Sequence, residues 1–594
     1  MFYLEPSLDD VTTLIEVSRG RAPADLYVRG GTVANVYSGE YLQANVAVKN
    51  GRIAYVGLSE ESVGVDTEVI DASGKYVCPG YVEVHAHPWA IYNPLENCRA
   101  ILPLGTTSVF FDTLFFLLLM EDAAFDELMN GVASLPLNVF WSVRVAPQST
   151  MRDESSRFDG NRIRRLLGLP NVAGVFEITR WPQLFEGNPR YLERIADARS
   201  LGKRVDGHTA GCSYDKLNTV VAAGADSCHE AIDAQQALDR LRLGMYVFLR
   251  DSSLREDLRE LIRIVTENQV QTSRLCLTTD GPSPQYFADK GSVEYLADVA
   301  VQEGVDPMAA LQMITVNPAT YFHLDHRIGG IAPGRMADIV IKPRVDRFRP
   351  ETVITRGRVV ARDGQLVTKF PDFNWVHCPF DHPEIPPGTC IRPEHVMVRA
   401  EDASSSFPVM DLVSAVITRR RDLDLPVVGD FVDLSGIDGM HFITLLDRHG
   451  TWASNGVIKG FASNLEGLAT SYTTSAHVVV LGKSGEAMAK AANRLYELGG
   501  GIVLVEDDRV IYELPLELGG AMSAQPFDAA VRESKKIVDL LAQRGHPYGD
   551  VLYTMLFLSC DFLPEVRVTC AGVYDVKARQ TLRPSRKTGI CFLD

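Results

Sequence analysis

The sequence predicts an α/β protein: a (β/α)8 TIM-like barrel, flanked by a composite β-sandwich and followed by a C-terminal α+β domain. Three observations carry this expectation. Eight short apolar segments alternate with helical stretches between residues 79 and 325, and hairpin signals recur on both flanks of that region. The chain, at 594 residues, also exceeds what one core supports, so roughly two to four domains are expected.

The eight segments are Gly80–Val84, Ser108–Phe111, Val139–Val143, Gly174–Glu177, Arg204–Gly207, Ser227–His229, Tyr246–Leu249 and Leu275–Thr279. Such alternation is the rhythm of βα units around a parallel sheet, and eight units fit a closed barrel over residues 79–325. Pro307–Asn317 places Ala309, Ala310, Met313 and Ile314 at 3–4 spacing, which predicts a helix closing the region. Upstream, residues 1–78 read as short strands and tight turns, with Asn50-Gly51 as a hairpin turn because both residue types tolerate positive φ. Downstream, Ala337–Ile341 and Val353–Val360 read as strands, with Thr355-Arg356-Gly357-Arg358 as another hairpin turn. So few strands cannot bury their own face, so residues 326–370 are expected to join residues 1–78 in one composite unit. Residues 371–392, rich in Pro, His, Asp and Cys, read as an ordered linker. Residues 393–594 form the third unit, with the strand His477–Leu481, the helix Gly485–Leu498 and the hairpin Ile502–Leu514.

Composition excludes several classes of function. With 46% hydrophobic and 23% charged residues the chain has the profile of a folded soluble protein. A net charge of −17 repels nucleic acid and anionic membrane surfaces, so neither is an expected partner. The longest apolar run, Val109–Met120, is interrupted by Asp112 and falls short of a bilayer span. Asp9 and Asp10 follow the N-terminus with no basic segment and apolar core, so no signal peptide is expected. Ten cysteines without CxxC pairs fit reduced thiols in a cytoplasm. The expected partner is a small-molecule substrate, and the expected assembly is a homo-oligomer, dimer or higher.

Of thirteen histidines, His85, His87, His208 and His229 fall at or just past the ends of predicted strands, where a barrel builds its active site. In His85-Ala86-His87 alternate residues point to the same side of a strand, so both imidazoles can reach one ion. A lone histidine at a strand end is ordinarily a hydrogen-bonded structural residue. Four of them, with acids in similar places, make a metal site the better reading. Glu177 ends one strand and Asp280 follows another. One carboxylate can bridge two divalent ions, and a second can hold an ion while accepting a proton. Other candidates are weaker. Gly499-Gly500-Gly501 lacks the Lys-Ser/Thr of a phosphate loop. His377, Cys378 and His382 fit no standard zinc spacing, and Phe110, Phe111, Phe115 and Phe116 read as packing.

The stretch Pro79-Gly80-Tyr81-Val82-Glu83-Val84-His85-Ala86-His87 resembles the first-strand signature of the amidohydrolase superfamily. More narrowly, the chain resembles the microbial adenine deaminases from end to end. The matching motifs include Asp206-Gly207-His208, Asp226-Ser227-Cys228-His229-Glu230, Gly244-Met245-Tyr246-Val247, Thr278-Thr279-Asp280 and Ala332-Pro333-Gly334-Arg335-Met336-Ala337-Asp338. In the third unit they are Glu497-Leu498-Gly499-Gly500-Gly501 and Glu513-Leu514-Pro515-Leu516, the more specific part because most amidohydrolases lack that unit. The resemblance implies two divalent metal ions (Mn2+, Fe2+ or Zn2+) held by His85, His87, Glu177, His208, His229 and Asp280. Glu177 would bridge them where many relatives use a carbamylated lysine. It implies that Asp280 orients the nucleophile and accepts its proton, and that His229 or Glu230 stabilises the addition intermediate. The implied reaction uses metal-activated hydroxide to release ammonia from an aminopurine or related heterocycle.

Three departures fall where substrate would be read. Adenine deaminases continue from the histidine pair with Ile-Glu-Ser-Ser, and this chain has Pro88-Trp89-Ala90-Ile91. They carry Asp-Pro-His-Glu after the second strand, and here Asp112-Thr113-Leu114-Phe115 keeps only the aspartate. They have two adjacent aspartates after the last strand, and here Asp280 is followed by Gly281. Trp89, Asp112 and Arg180 are the expected substrate-contacting residues. Loss of hydrogen-bonding groups weakens discrimination for a polar purine. The alternatives are therefore hydrolysis of another cyclic amide, amidine or N-acyl compound, and a non-catalytic metal-binding descendant.

Overall fold

The computed structural model describes residues 5–403 and 406–590. Its centre is an eight-stranded parallel sheet in sequential order: β1 Tyr81–Ala86, β2 Thr106–Asp112, β3 Asn138–Val143, β4 Val172–Ile178, β5 Arg204–Gly207, β6 Ser227–Cys228, β7 Tyr246–Arg250 and β8 Leu275–Thr278. Every strand lies within two residues of its expected bounds. Residues of β1, β2 and β3 are buried on both faces, as a sheet covered by helices outside and packed inside requires. The ring closes where Ala86 pairs in parallel with Asp280, and the His87 N–H donates to the Asp280 carbonyl at 3.1 Å.

The closing helix differs from expectation, because it is broken into Pro307–Met313 and Val316–Tyr321. Pro318 has no N–H to offer the Ile314 carbonyl. That carbonyl accepts instead from the Val82 N–H at 2.8 Å, which ties the break to β1.

Strands from the two flanks of the barrel share one nine-stranded sheet, with Tyr76–Pro79 antiparallel to Ile339–Lys342. The sheet wraps a core that includes Leu26, Val46, Ile53, Ile339 and Ile354. Asn50 and Gly51 have φ of 50° and 73°, and Arg356 and Gly357 have 48° and 72°, the paired positive values of tight hairpin turns. The first segment is not strands alone. Leu8–Ser18 is a helix, opened by a Ser7–Asp10 capping box. Its Leu14 and Val17 pack on Tyr27, Ala47 and Ala54. The exposed Leu8, Val11 and Ile15 put apolar residues on its other faces, which blurs the helical period in the sequence.

The C-terminal unit is built on a second nine-stranded sheet, with the helix Gly485–Leu498 laid against it. Ser484 caps that helix by accepting from the Ala487 N–H, and Gly499, at φ 73°, ends it. Gly499–Gly501 is therefore a helix-to-strand turn. One continuous apolar cluster runs from Phe115, Phe116 and Trp141 of the barrel to Leu552, Met555 and Val566 of the C-terminal unit. Backbone bonds reinforce this packing at the barrel mouth: Ser523 N–H to the Ile91 carbonyl at 2.6 Å and Asp561 N–H to the Gln148 carbonyl at 3.1 Å. No helix among the described residues is long and apolar enough to cross a membrane.

Candidate metal centre

The six residues singled out as ligands come together at the C-terminal ends of the barrel strands. His85 and His87, at and just past the end of β1, both face Asp280, whose Oδ1 lies 3.3 Å from His85 Nε2 and 2.9 Å from His87 Nε2. Glu177, near the end of β4, stands between the two halves of the cluster. Its Oε2 is 2.5 Å from His208 Nδ1 and 3.1 Å from His229 Nε2, and its Oε1 is 3.7 Å from His87 Nε2. Four triplets drawn from this group bring potential ligand atoms within 4.8 Å of one another, and two of them recruit Glu230 or Asp112. No such triplet among the described residues includes His377, Cys378 or His382. Asp280 has φ 62°, a left-handed conformation that aspartate tolerates and that turns its carboxylate back across the mouth.

Behind these side chains lies a layer whose pairings the sequence did not reveal. His85 Nδ1 is 2.8 Å from Asp206, and His87 Nδ1 is 2.9 Å from Asp112, so a carboxylate orients each imidazole and leaves its Nε2 facing the centre. Arg144, fully buried just past β3, grips both oxygens of Asp112 at 2.8 and 2.7 Å and donates to Glu177 Oε1 at 2.5 Å. Gln148 donates to the same oxygen at 3.0 Å. Glu83, buried inside β1, accepts from the Thr278 and Thr279 hydroxyls, both at 2.7 Å, and locks β1 to β8. Arg250 pairs with Glu230 and, at 3.2 Å, with Asp280, while Arg255 holds Glu230 at 3.0 Å. Arg144, Gln148, Arg250 and Arg255 belong to none of the motifs quoted above, whereas Glu83, Asp206 and Glu230 lie inside them and Asp112 is one of the expected substrate contacts.

The electrostatics suit a cation. Burial would raise the Glu177 carboxyl, but the Arg144 guanidinium and the His208 imidazole outweigh it and hold it well below the usual range. Burial opposes ionisation of Asp280 too, and hydrogen bonds with His85 and His87 reverse that. His85 shows the sign of the field most clearly: against burial, Asp206 and Asp280 push it up to about 10. His229 moves the other way, lowered by burial and by the neighbouring His85. His208 Nε2 and His229 Nδ1 are buried with no hydrogen-bond partner, a cost in free energy that a bound ion would relieve. The donor set, imidazole nitrogen with carboxylate oxygen, therefore fits a divalent metal.

The three expected substrate contacts divide. Trp89 lines the cavity above the centre and packs on His87 with ring centroids 4.7 Å apart. Asp112 does not reach substrate space, since it is fully buried behind His87 and occupied by Arg144. Arg180 is also spoken for: its guanidinium pairs with Asp561 at 2.7 Å and Glu154 at 2.9 Å, fastening β4 to the C-terminal unit. The side chain therefore leaves the centre rather than facing substrate space.

The cavity itself is about 450 Å³. His87, Glu177, His208, His229, Glu230 and Asp280 form its floor, and Gln148, Gln236, Arg250 and Arg255 lie on its walls. Its roof comes from the C-terminal unit, through Val416, Ile417, Tyr553, Phe557 and Phe562. Phe110, Phe111, Phe115 and Phe116 are fully buried packing and do not line it.

Comparison with known proteins agrees with this arrangement. Residues 76–360 match the Amidohydrolase family, and residues 415–580 match the Adenine deaminase C-terminal domain. A protein of Halalkalibacterium halodurans is 34% identical over 574 residues, covering 96% of this chain and 97% of its own. The adenine deaminase of Moorella thermoacetica is 31% identical over 587 residues, covering 96% of this chain and 97% of its own. That of Cenarchaeum symbiosum is 30% identical over 590 residues, covering 97% and 95%. A barrel with this cluster at its mouth, continued by this C-terminal unit and matched along nearly its whole length, belongs to the adenine deaminase family of amidohydrolases.

Proposed function

We propose that the chain is a metal-dependent hydrolase of C–N bonds that releases ammonia from an aminopurine or a related heterocycle. The observation that carries this reading is the convergence of six ligand side chains from β1, β4, β5, β6 and β8 beneath a cavity of substrate size. His85, His87 and Asp280 would hold one divalent ion (Mn2+, Fe2+ or Zn2+), His208 and His229 a second, with Glu177 between them. When bound, such ions supply hydroxide near neutral pH by acidifying a coordinated water. Asp280, kept ionised and tethered by Arg250, takes one proton of the attacking water and returns it to the departing nitrogen while the other water proton ends on the ring nitrogen, so that a cyclic amidine and water become a cyclic amide and ammonia. Glu230, held by Arg250 and Arg255, and His229 face the same space and steady the addition intermediate. The nine described cysteines are all free, which supports a reducing, cytoplasmic setting.

The direct test is ammonia release from a panel of aminopurines by protein loaded with each metal, with His85→Ala and Asp280→Asn as controls. Turnover that requires metal and both residues is expected. A metal-loaded protein inert on the panel, or Asp280→Asn with full activity, refutes the reading. A second reading, hydrolysis of a cyclic amide, is favoured by Trp89 and Gly281 standing at positions where adenine deaminases carry polar groups. Lactams belong on the panel for that reason.

A further inference from the structure

One side chain in the cavity is unaccounted for by the metal cluster and comes from outside the barrel. Tyr553 lies on the helix Val551–Phe557 of the C-terminal unit, with Asp550 capping that helix through the Tyr553 N–H. Its side chain is 5% exposed and lines the cavity together with His87, Asp280 and Trp89. Its hydroxyl makes no hydrogen bond among the described residues, whereas the other polar side chains around the floor are gripped: Asp280 and Glu230 by Arg250, Gln148 by Glu177. A tyrosine hydroxyl enclosed by protein ordinarily finds a partner.

Its location is fixed by Gly281. A Cβ built on Gly281 would stand 2.6 Å from the Tyr553 hydroxyl oxygen and 2.8 Å from the Cβ of His87. The hydroxyl therefore occupies the space into which any side chain at position 281 would project. That is the position at which adenine deaminases carry their second aspartate, beside the residue matched by Asp280. The C-terminal unit has put a phenol into the slot that the barrel left empty by using glycine.

We propose that Tyr553 is a substrate-contacting, specificity-determining residue of this active site. Its hydroxyl selects a substrate that offers a hydrogen-bond acceptor, a ring carbonyl or an unprotonated ring nitrogen, at the edge facing Gly281. The exchange changes what can be read there. An ionised aspartate only accepts, so it favours a ring N–H and repels a carbonyl, whereas a neutral phenol can donate. The surrounding wall, Trp89, Ile417, Phe557 and Phe562, carries no side-chain hydrogen-bond acceptor, so the edge of a bound substrate can serve as the hydroxyl's partner. The inference rests on the C–N hydrolase reading and narrows its substrate class. It also gives the C-terminal unit a part in recognition as well as in packing.

Tyr553→Phe removes the hydroxyl and keeps the ring, so melting temperature and metal content should match the parent protein. The assay compares kcat/KM on matched heterocycles that differ in presenting a ring carbonyl or a ring N–H at one edge. Loss of the hydroxyl should lower kcat/KM about tenfold or more for the carbonyl compounds and change it little for the others. An equal loss on both sets would indicate a merely structural role and overturns the proposal, as does no loss on either. Gly281→Ala supplies a second measurement: the methyl should displace the hydroxyl, and its effect should shrink in the Tyr553→Phe background. Strict additivity of the two substitutions contradicts the contact. If the parent protein hydrolyses nothing on the panel, the hydrolase reading fails by itself. Tyr553 is then judged by calorimetric Kd values for the same compounds: a Kd at least several-fold weaker in Tyr553→Phe for acceptor-bearing rings sustains it. An unchanged Kd, or no binding by any compound, refutes it.

Discussion

Arg144→Met should destabilise the barrel by about 3–5 kcal/mol, the usual cost of removing one partner of a buried ion pair. The guanidinium is fully buried and makes two hydrogen bonds to Asp112, one to the Glu177 carboxylate at 2.5 Å and one to the Glu177 carbonyl at 3.3 Å. Methionine fills similar space with a flexible apolar chain, so cavity formation contributes little and the loss is chiefly electrostatic. Asp112, at 0% exposure, is left with no cation but His87, and Glu177 keeps the imidazoles and the Gln148 amide. For a domain of barrel size, about 2–4 °C per kcal/mol converts this into a fall of roughly 6–20 °C in melting temperature. The assay is thermal unfolding followed by circular dichroism, with and without chelator. The metal-free fall should be the larger, because a bound cation takes over part of the compensation at Glu177. Arg144→Lys keeps the charge without the planar fork and should lie between. A fall worth less than about 1 kcal/mol in Arg144→Met, metal-free, would show that the two carboxylates do not depend on this arginine, and the account of the buried layer would collapse.

Two further outcomes can be checked. Asp112→Asn should lower metal affinity or turnover about 10–100-fold with the fold retained, because Asp112 orients His87 through Nδ1; metal titration followed by calorimetry measures it, and an unchanged affinity and rate would count against that role. Glu294, 2% exposed in the first turn of the helix Val293–Gln302, has its carboxyl pushed up to about 8 by burial. The native state therefore holds this proton more tightly than the unfolded chain does, so the group's contribution is complete below about pH 4.5 and is lost as pH rises through about 8. Glu294→Gln should thus melt progressively higher than the parent between pH 5 and pH 9, by an amount on the order of a few kcal/mol at the alkaline end, and parallel melting curves across that range would contradict it.

Much of the architecture is legible in the chain because its signals are local. Strand positions follow from short apolar runs between helical stretches, and the turn at Asn50-Gly51 from residues that accept positive φ. The helix Gly485–Leu498 follows from its period and its glycine stop. Where local signals conflict, the reading fails. The helix Leu8–Ser18 hides behind apolar residues on its exposed face, and the break before Pro318 depends on a carbonyl satisfied by β1. The ligand residues are visible because barrel chemistry gathers at strand ends, which the sequence locates one strand at a time.

What the sequence by itself determined is the repertoire: a barrel, a set of candidate metal ligands spread over five strands, and three substitutions beside it. The tertiary structure decided which of the neighbours does what. Asp112 turned out to stand behind His87, Arg180 to clasp Asp561, and Arg144, invisible as a motif, to lie beneath both Asp112 and Glu177. Gly281 and Tyr553, from the barrel and the C-terminal unit, share one space. Ligand spacing is set by the strand repeat and can be read along the chain. Partnership between buried charges, and between a missing side chain and the one that replaces it, is set by close packing of segments hundreds of residues apart, and only the folded chain brings them within reach.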